Sequence, residues 1–193
     1  NQTPPPEPRI DFSKSIALYE RLIRDFPSYR LNDAAYYLLG YCQEKQENFD
    51  KAKVSYEALI AQYPKSKFAT EAWMRIGEYY FDAVEPANAL EKAADAYEHA
   101  ILDKTHSLFD KALYKLAWTY YRMDRFDDSV DRFITLMDYY QEQAKNRPGA
   151  PAADTVILPD ANANRLIVTA ATNELEVVDD IIKKLDKVSS QSA

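Results

Sequence analysis

One spacing of small and aromatic residues recurs along this chain and limits the folds that it can adopt. Gly40 is followed twelve residues later by Ala52, and Tyr56 comes four residues after Ala52. The same two intervals recur in a second set, Ala117, Ser129 and Phe133. A third set has four extra residues in its first interval: Gly77, Ala93 and Tyr97. These sets lie in stretches of helical periodicity, so they predict a repeated helical hairpin. The small residues would let two helices approach, and the aromatic ring would fill the space between layers.

Prolines mark the predicted ends of two second helices. Pro27 lies 13 residues before Gly40, and Pro64 lies 13 residues before Gly77. Because proline cannot continue the hydrogen-bond ladder of a helix, each proline predicts the end of a second helix. The opening segment Phe12–Asp25 is therefore predicted to be a second helix that lacks its first.

This pattern resembles the tetratricopeptide repeat, a helix–turn–helix unit of about 34 residues. The resemblance covers one half repeat and three full repeats, residues 10–144, and implies an all-α solenoid of stacked helical hairpins. The segments "RDFPSYRLNDAAYYLLG" and "AQYPKSKFATEAWMRIG" are similar to the Tyr/Phe-Pro-x-Ser linkers of bacterial envelope tetratricopeptide proteins. Those proteins include the outer-membrane-assembly lipoproteins and the Tol-associated periplasmic coordinator. The resemblance implies a periplasmic or outer-membrane-associated location in a Gram-negative cell.

The composition changes after the repeats. Residues 145–154, "KNRPGAPAAD", are rich in Pro, Gly and Ala and are interpreted as a linker. Thr155–Leu158 and Arg165–Thr169 are β-branched runs that predict two strands. Thr172 or Asn173 can then cap a helix with one apolar face, formed by Leu175, Val178, Ile181, Ile182 and Leu185. We therefore expect a small β-β-α appendage over residues 155–188, a disordered tail over 189–193, and a proline-rich lead over 1–9.

The appendage has a resemblance of its own. "LPDANANRLIVTA" and "VDDIIKKLD" resemble the second half of a secretin N-domain, a small module of outer-membrane secretion channels. A hairpin with one helix has little core, and two-stranded sheets are marginal alone. The half module could dock on the repeats, complete itself against another copy or a secretin, or result from two joined segments. The resemblance implies a secretion or type IV pilus channel as the associated machine.

The composition narrows the function classes. The chain has 31 acidic and 24 basic residues and a formal net charge of −7, which disfavours a binder of nucleic-acid phosphates. No apolar run approaches the roughly 20 residues that span a bilayer, so a transmembrane protein is not expected. The three glycines are too few for a glycine-rich phosphate loop. Cys42 is the single cysteine, so no internal disulfide can form.

Residues that could carry catalysis are scarce. His99 and His106 lie seven residues apart, and we interpret them as ordinary side chains around a turn, since zinc usually needs roughly three or four ligands. Cys42 lies within a predicted helix and is interpreted as a packing thiol. The acidic pairs 127–128 and 179–180 are assigned to a helix start and to a solvated helix face. We therefore expect no catalytic residue, no cofactor, no metal and no enzymatic activity.

The resemblance implies a partner-binding surface on the first helix of each repeat. In the family, its second, fifth, ninth and twelfth residues face the concave groove. These positions correspond here to Ala34, Tyr37, Tyr41 and Glu44, then Glu71, Met74, Glu78 and Phe81, then Lys111, Tyr114, Trp118 and Tyr121. Helical geometry independently places Tyr114, Trp118 and Tyr121 on one stripe. Exposed Tyr and Trp side chains are typical interface anchors. The alternative is that a further repeat or the tail covers Trp118.

These observations predict a non-catalytic scaffold or adaptor for protein–protein interaction in the periplasm. Its expected partner is a protein of the cell envelope, such as a secretin or an outer-membrane assembly component. Two alternatives stay open: a structural spacer of a gliding or cell-division complex, and a substrate-presenting subunit of an enzyme complex. The oligomeric state is not predicted.

Overall fold

A computed structural model describes residues 10–145, 156–160 and 165–169 of the chain. Its internal contacts divide the chain into a first unit, Asn1–Ala100, and a second unit, Ile101–Ala193. The described residues form seven helices and two strands. The helices are α1 (Ser13–Asp25), α2 (Asn32–Lys45), α3 (Phe49–Gln62), α4 (Ala69–Asp82), α5 (Ala89–Ala100), α6 (Phe109–Arg122) and α7 (Phe126–Lys145). Among the helices so described, none has the length and apolar character needed to cross a membrane.

The first unit consists of helical hairpins packed side by side. Helix α2 packs on α3, α4 packs on α5, and the hairpins meet through α3 and α4. Helix α1 packs on α2 and has no buried residue of its own. The predicted opening helix is thus present as α1.

A glycine lies at the closest approach of each hairpin in the first unit. A Cβ atom added at Gly40 would lie 2.6 Å from the ring of Tyr56, and one at Gly77 would lie 2.5 Å from the ring of Tyr97. Both rings are almost fully buried, at 2% and 0% exposure. A side chain larger than hydrogen therefore does not fit unless a buried ring moves. The predicted close approach of two helices at a small residue is confirmed at both positions, and the aromatic ring of the same hairpin lies at that point.

The linkers between hairpins of the first unit are held by polar side chains. The amide of Asn32 donates to the carbonyls of Phe26 and Pro27, at 2.8 and 3.0 Å. Ser66 donates from its hydroxyl to Asp33 at 2.7 Å and accepts the backbone N–H of Phe68 at 3.1 Å. In the Tyr-Pro-x-Ser linker, the serine thus ties the start of α4 to the start of α2.

Two turns within hairpins have a left-handed residue at the same place. Glu47, between α2 and α3, has φ 60°, and Asp124, between α6 and α7, has φ 58°. The N–H of Asn48 donates to the carbonyl of Gln43 at 2.9 Å, and the N–H of Arg125 makes the same type of bond at 2.9 Å. This is the Schellman arrangement, whose left-handed position usually holds glycine.

The second unit contains the α6–α7 hairpin. Its core consists of the buried side chains of Phe109, Leu113 and Leu136, with Tyr114 and three other residues packed against them. The small residue of this hairpin, Ala117, is fully buried at 0% exposure.

The strands of the second unit are β1 (Val156–Asp160) and β2 (Arg165–Thr169), paired antiparallel with Leu158 opposite Ile167. Strand β2 has its predicted bounds, and β1 starts one residue later than predicted and ends two residues later. The predicted helix after β2, the lead over 1–9, the tail over 189–193 and all but the first residue of the linker lie outside the described residues. The β-β-α appendage as a whole is therefore not shown.

Candidate binding surfaces

The predicted surface of the first unit centres on Tyr37 of α2. Its ring stacks on that of Phe68, with centroids 4.9 Å apart and planes 13° apart, and it lies 6.0 Å from the ring of Tyr56. Burial, followed by the nearby carboxylate of Glu71, raises the pKa of Tyr37 to about 12. The hydroxyl of this half-buried ring therefore keeps its proton to a more alkaline pH than that of an ordinary tyrosine.

Arg75 connects the acidic residues of this surface. Its guanidinium donates to Glu78 at 3.0 Å and lies 3.5 Å from a carboxylate oxygen of Glu44. The other oxygen of Glu44 accepts the hydroxyl of Tyr56 at 3.0 Å. Since Tyr56 is the ring packed on Gly40, the network reaches from the surface into the core. We call Glu44, Tyr56, Arg75 and Glu78 the Arg75 network.

The sequence analysis did not predict this role of Arg75. Arg75 lies three residues before Glu78 on one helix, and this spacing indicates an ion pair between them. Its pairing with Glu44 joins α4 to α2 and depends on how the two hairpins pack. Single-helix periodicity cannot predict such a contact.

The remaining predicted positions of the first unit differ in exposure. Tyr41 is half-buried, with Phe12 edge-on at 6.5 Å and the Lys45 ammonium 5.4 Å from its ring centroid. Phe81 is also half-buried. Met74 is only 5% exposed. The assignment of Met74 to the partner-contacting surface was wrong, because its apolar side chain is part of the core of α4.

The second unit has a row of aromatic rings that runs from the core to solvent. Trp118 lies 6.2 Å from Tyr114 and 5.4 Å from Tyr121, and Tyr121 lies 5.5 Å from Phe126. Phe133 of α7 supports the row at 6.0 Å from Trp118. All these pairs are edge-on, a favourable geometry for aromatic rings. We call Tyr114, Trp118, Tyr121 and Phe126 the aromatic row.

Exposure differs between the base of this row and its other three members. Tyr114 packs against the core of the unit, whereas Trp118 is 38% exposed, Tyr121 36% and Phe126 48%. The sequence analysis missed Phe126, because the family pattern considers only the first helix of each repeat and Phe126 begins α7. The row therefore presents three large rings to solvent from a half-buried base.

The charges around the two surfaces have opposite signs. Helix α4 has three acidic residues, Glu71, Glu78 and Asp82, and one basic residue, Arg75. Helix α6 has three basic residues, Lys111, Lys115 and Arg122, and one acidic residue, Asp110. Asp110 accepts the hydroxyl of Tyr140 at 2.7 Å.

The side chains considered for catalysis have structural contacts. The ring of His99 stacks on Trp73 with centroids 4.2 Å apart, and Nδ1 of His106 accepts the backbone N–H of Leu108 at 3.2 Å. Cys42 is buried, which raises the pKa of its thiol. Asp128 accepts from Arg125 at 2.7 Å. Within the described ranges, no group of three or more His, Cys, Asp or Glu side chains is placed to hold a metal.

Comparison with known proteins agrees with the helical-hairpin architecture. Residues 34–66 and 111–142 match the family profile of the tetratricopeptide repeat. These two segments are tetratricopeptide repeats. The two matched repeats contain Gly40 with Tyr56 and Ala117 with Phe133. Such repeats are generally non-catalytic modules for protein–protein interaction.

Several solved structures share this repeat fold. A MamA RS-1 double mutant has a TM-score of 0.56 and 20% identity, with 70% of each chain covered. MamA 41-end from Desulfovibrio magneticus RS-1 has a TM-score of 0.52 and 20% identity, covering 69% of this chain and 68% of that one. A tetratricopeptide repeat protein from Parabacteroides merdae has a TM-score of 0.56 and 19% identity, covering 72% and 50% respectively. At these identities the likeness concerns the fold. No curated protein matches the sequence.

Proposed function

We propose that this chain is a non-catalytic scaffold for protein–protein interaction, and that the aromatic row of the second unit is its principal contact surface. The observation that carries the proposal is the exposure of Trp118 and Tyr121, at 38% and 36%, beside a ring that packs on the core. Tryptophan and tyrosine are enriched among the residues that dominate interface energies.

The rings of the row are already ordered before a partner arrives. Trp118 is held edge-on by Tyr114, Tyr121 and Phe133. Side chains that are fixed beforehand lose less conformational entropy on binding, so more of the contact energy remains as affinity. The row is thus suited to recognition.

The surface of the first unit has a smaller part in this proposal. Glu44 and Glu78 are bound to Arg75, and breaking those contacts would oppose binding. The other half-buried positions of this surface that could contact a partner are Tyr37, Tyr41, Glu71 and Phe81. We therefore assign them to a secondary contact surface of the first unit.

The cellular setting is also a proposal. The Tyr/Phe-Pro-x-Ser linkers and the secretin-like tail support a periplasmic adaptor in a Gram-negative envelope machine, such as a secretion or type IV pilus channel. The partner would then be a secretin or an outer-membrane assembly component. This part depends on sequence resemblance, whereas the contact surface depends on geometry.

Cross-linking in an envelope extract, read by mass spectrometry, tests both parts. The intact chain would be compared with Trp118→Ala/Tyr121→Ala and with Tyr29→Ala, which removes an exposed ring from the first unit (42% exposed). We expect a partner that is lost with the double variant and kept with Tyr29→Ala. Capture of the same partners by all three proteins would contradict the assignment of the aromatic row. Partners from outside the envelope would contradict the setting.

A further inference from the structure

Basic side chains accompany the aromatic row along α6. Two lysines precede Trp118, Lys111 by seven residues and Lys115 by three. Arg122 follows Trp118 by four residues. Because an α-helix turns about 100° per residue, these four side chains leave α6 within about 60° of one another. Lys111 and Arg122 are exposed, and Lys115 is half-buried. One face of α6 therefore combines positive charge with exposed aromatic area.

Two acidic groups near this face in sequence, Asp110 and Asp128, have partners within the chain. Asp110 accepts the hydroxyl of Tyr140 at 2.7 Å and the backbone N–H of Lys111 at 2.8 Å. Asp128, in the first turn of α7, accepts from Arg125 at 2.7 Å. The three basic residues thus outnumber the acids on their own helix.

The matching positions of α4 show that this charge is not a general property of the repeat. We compare the positions that lie six and two residues before, and one and five residues after, the small residue of each helix. Around Gly77 of α4 these positions are Glu71, Arg75, Glu78 and Asp82. Around Ala117 of α6 they are Lys111, Lys115, Trp118 and Arg122. Acidic side chains occupy three of these places on α4, whereas basic ones occupy three on α6. The two faces would therefore select ligands of opposite charge.

We propose that the aromatic row, together with Lys111, Lys115 and Arg122, binds an acidic peptide segment that carries an apolar side chain. The inference deepens the proposed function and rests on it. Carboxylates of the segment would lie beside the three basic groups, and the apolar side chain would cover Trp118. Lys111 and Arg122 are eleven residues apart, about 16 Å along a helix. About five residues of extended chain span this distance.

The test uses the full chain with Trp73→Phe, which leaves Trp118 as the single tryptophan and keeps a ring beside His99. Three synthetic peptides of equal length carry one central Phe, flanked by Glu in the first, by Gln in the second and by Lys in the third. Fluorescence of Trp118 is followed during titration at low and at high salt. We expect the Glu peptide to bind most tightly and its affinity to fall with salt, because salt screens charges at the surface.

Charge reversal supplies the matched variants. Lys111→Glu/Lys115→Glu should weaken binding of the Glu peptide about tenfold or more, since like charges would then face each other. Lys14→Glu/Lys51→Glu makes the same change of charge at two exposed positions of the first unit and should leave the affinity within about twofold. Circular dichroism of both variants checks that the helices are retained.

Four outcomes would overturn the inference. Equal binding of the Glu and Gln peptides, with loss in Tyr121→Ala, would keep the row as a contact surface and remove the acidic specificity. Preference for the Lys peptide would also remove the acidic specificity. Absence of binding of any peptide would remove it too. Binding of the Glu peptide only after Glu174, Glu176, Asp179 and Asp180 are changed to their amides would identify the chain's own acidic segment as the occupant. The cross-linking experiment above tests the proposed function separately.

Discussion

The two units use the same hairpin in different ways. In the first unit, Tyr56 lies against Gly40 and its hydroxyl enters the Arg75 network, so polar groups at the surface bind one another. In the second unit, Phe133 takes the place of Tyr56 and lies against Tyr114 and Trp118, so the surface ends in exposed rings. The repeat determines where each side chain lies, and residue chemistry determines whether that position is satisfied internally or open to a partner.

The largest effect is expected where a first-unit glycine is replaced. Gly77→Ala would place a methyl group 2.5 Å from the buried ring of Tyr97. Overpacking of this kind costs about 2 kcal/mol of the free energy of unfolding. Trp73 fluorescence during urea denaturation reports the first unit, and Trp118 fluorescence, in Trp73→Phe, reports the second. Ala117→Gly is the matched change in the second unit, with an expected loss of about 1 kcal/mol from helix propensity. An unchanged free energy of unfolding in Gly77→Ala would contradict the close approach of Gly77 to the ring of Tyr97.

The second expectation concerns Trp118 and separates stability from binding. Trp118→Ala should lower partner affinity by about 2 kcal/mol, as is common for a central aromatic anchor. Because the side chain is 38% exposed, the helical circular dichroism should remain nearly intact. Loss of helicity would show instead that Trp118 is needed for the fold, and the two units would then differ less than proposed.

A smaller effect is expected in alkaline solution. The pKa of Tyr37 is raised from its ordinary value of 10.0 to about 12 in the folded chain. The folded state therefore keeps its proton in a pH range where the unfolded state releases it. The stabilisation of the folded state that comes from this shift of Tyr37 is fully present below pH 10.0 and is lost as the pH rises towards about 12. Tyr37→Phe should reduce this loss in urea denaturation at a series of pH values. Tyr29→Phe is the control, and an equal change in both variants would contradict the assignment.

The smallest expected effect concerns the turns that both units share. Glu47→Gly and Asp124→Gly relieve a left-handed backbone at φ 60° and 58°. A non-glycine residue in this region costs about 1 kcal/mol, part of which the flexibility of glycine in the unfolded chain offsets. Each variant should therefore be more stable by about 0.5 kcal/mol in chemical denaturation. Destabilisation of either variant would show that its side chain makes a compensating contact.

Much of the fold could be predicted because its rules are local. The twelve- and four-residue intervals reflect how two helices of one hairpin touch, and Gly40 with Tyr56 shows that contact directly. The linker prolines likewise act on their own backbone. The residues missed or misassigned depend on neighbouring elements: Arg75 pairs across two helices, Phe126 joins the row from α7, and Met74 turns into the core.

The most direct test of the central claim is site-specific photo-cross-linking at equivalent positions of the two surfaces. Glu78 and Trp118 each follow the small residue of their first helix, Gly77 and Ala117. A benzophenone side chain would replace one or the other in the full chain, and cross-links would be measured in an envelope extract. We predict a partner cross-link at position 118 that is absent or much weaker at position 78. Equal cross-linking at both positions, or cross-linking at 78 alone, would contradict the assignment of partner binding to the aromatic row.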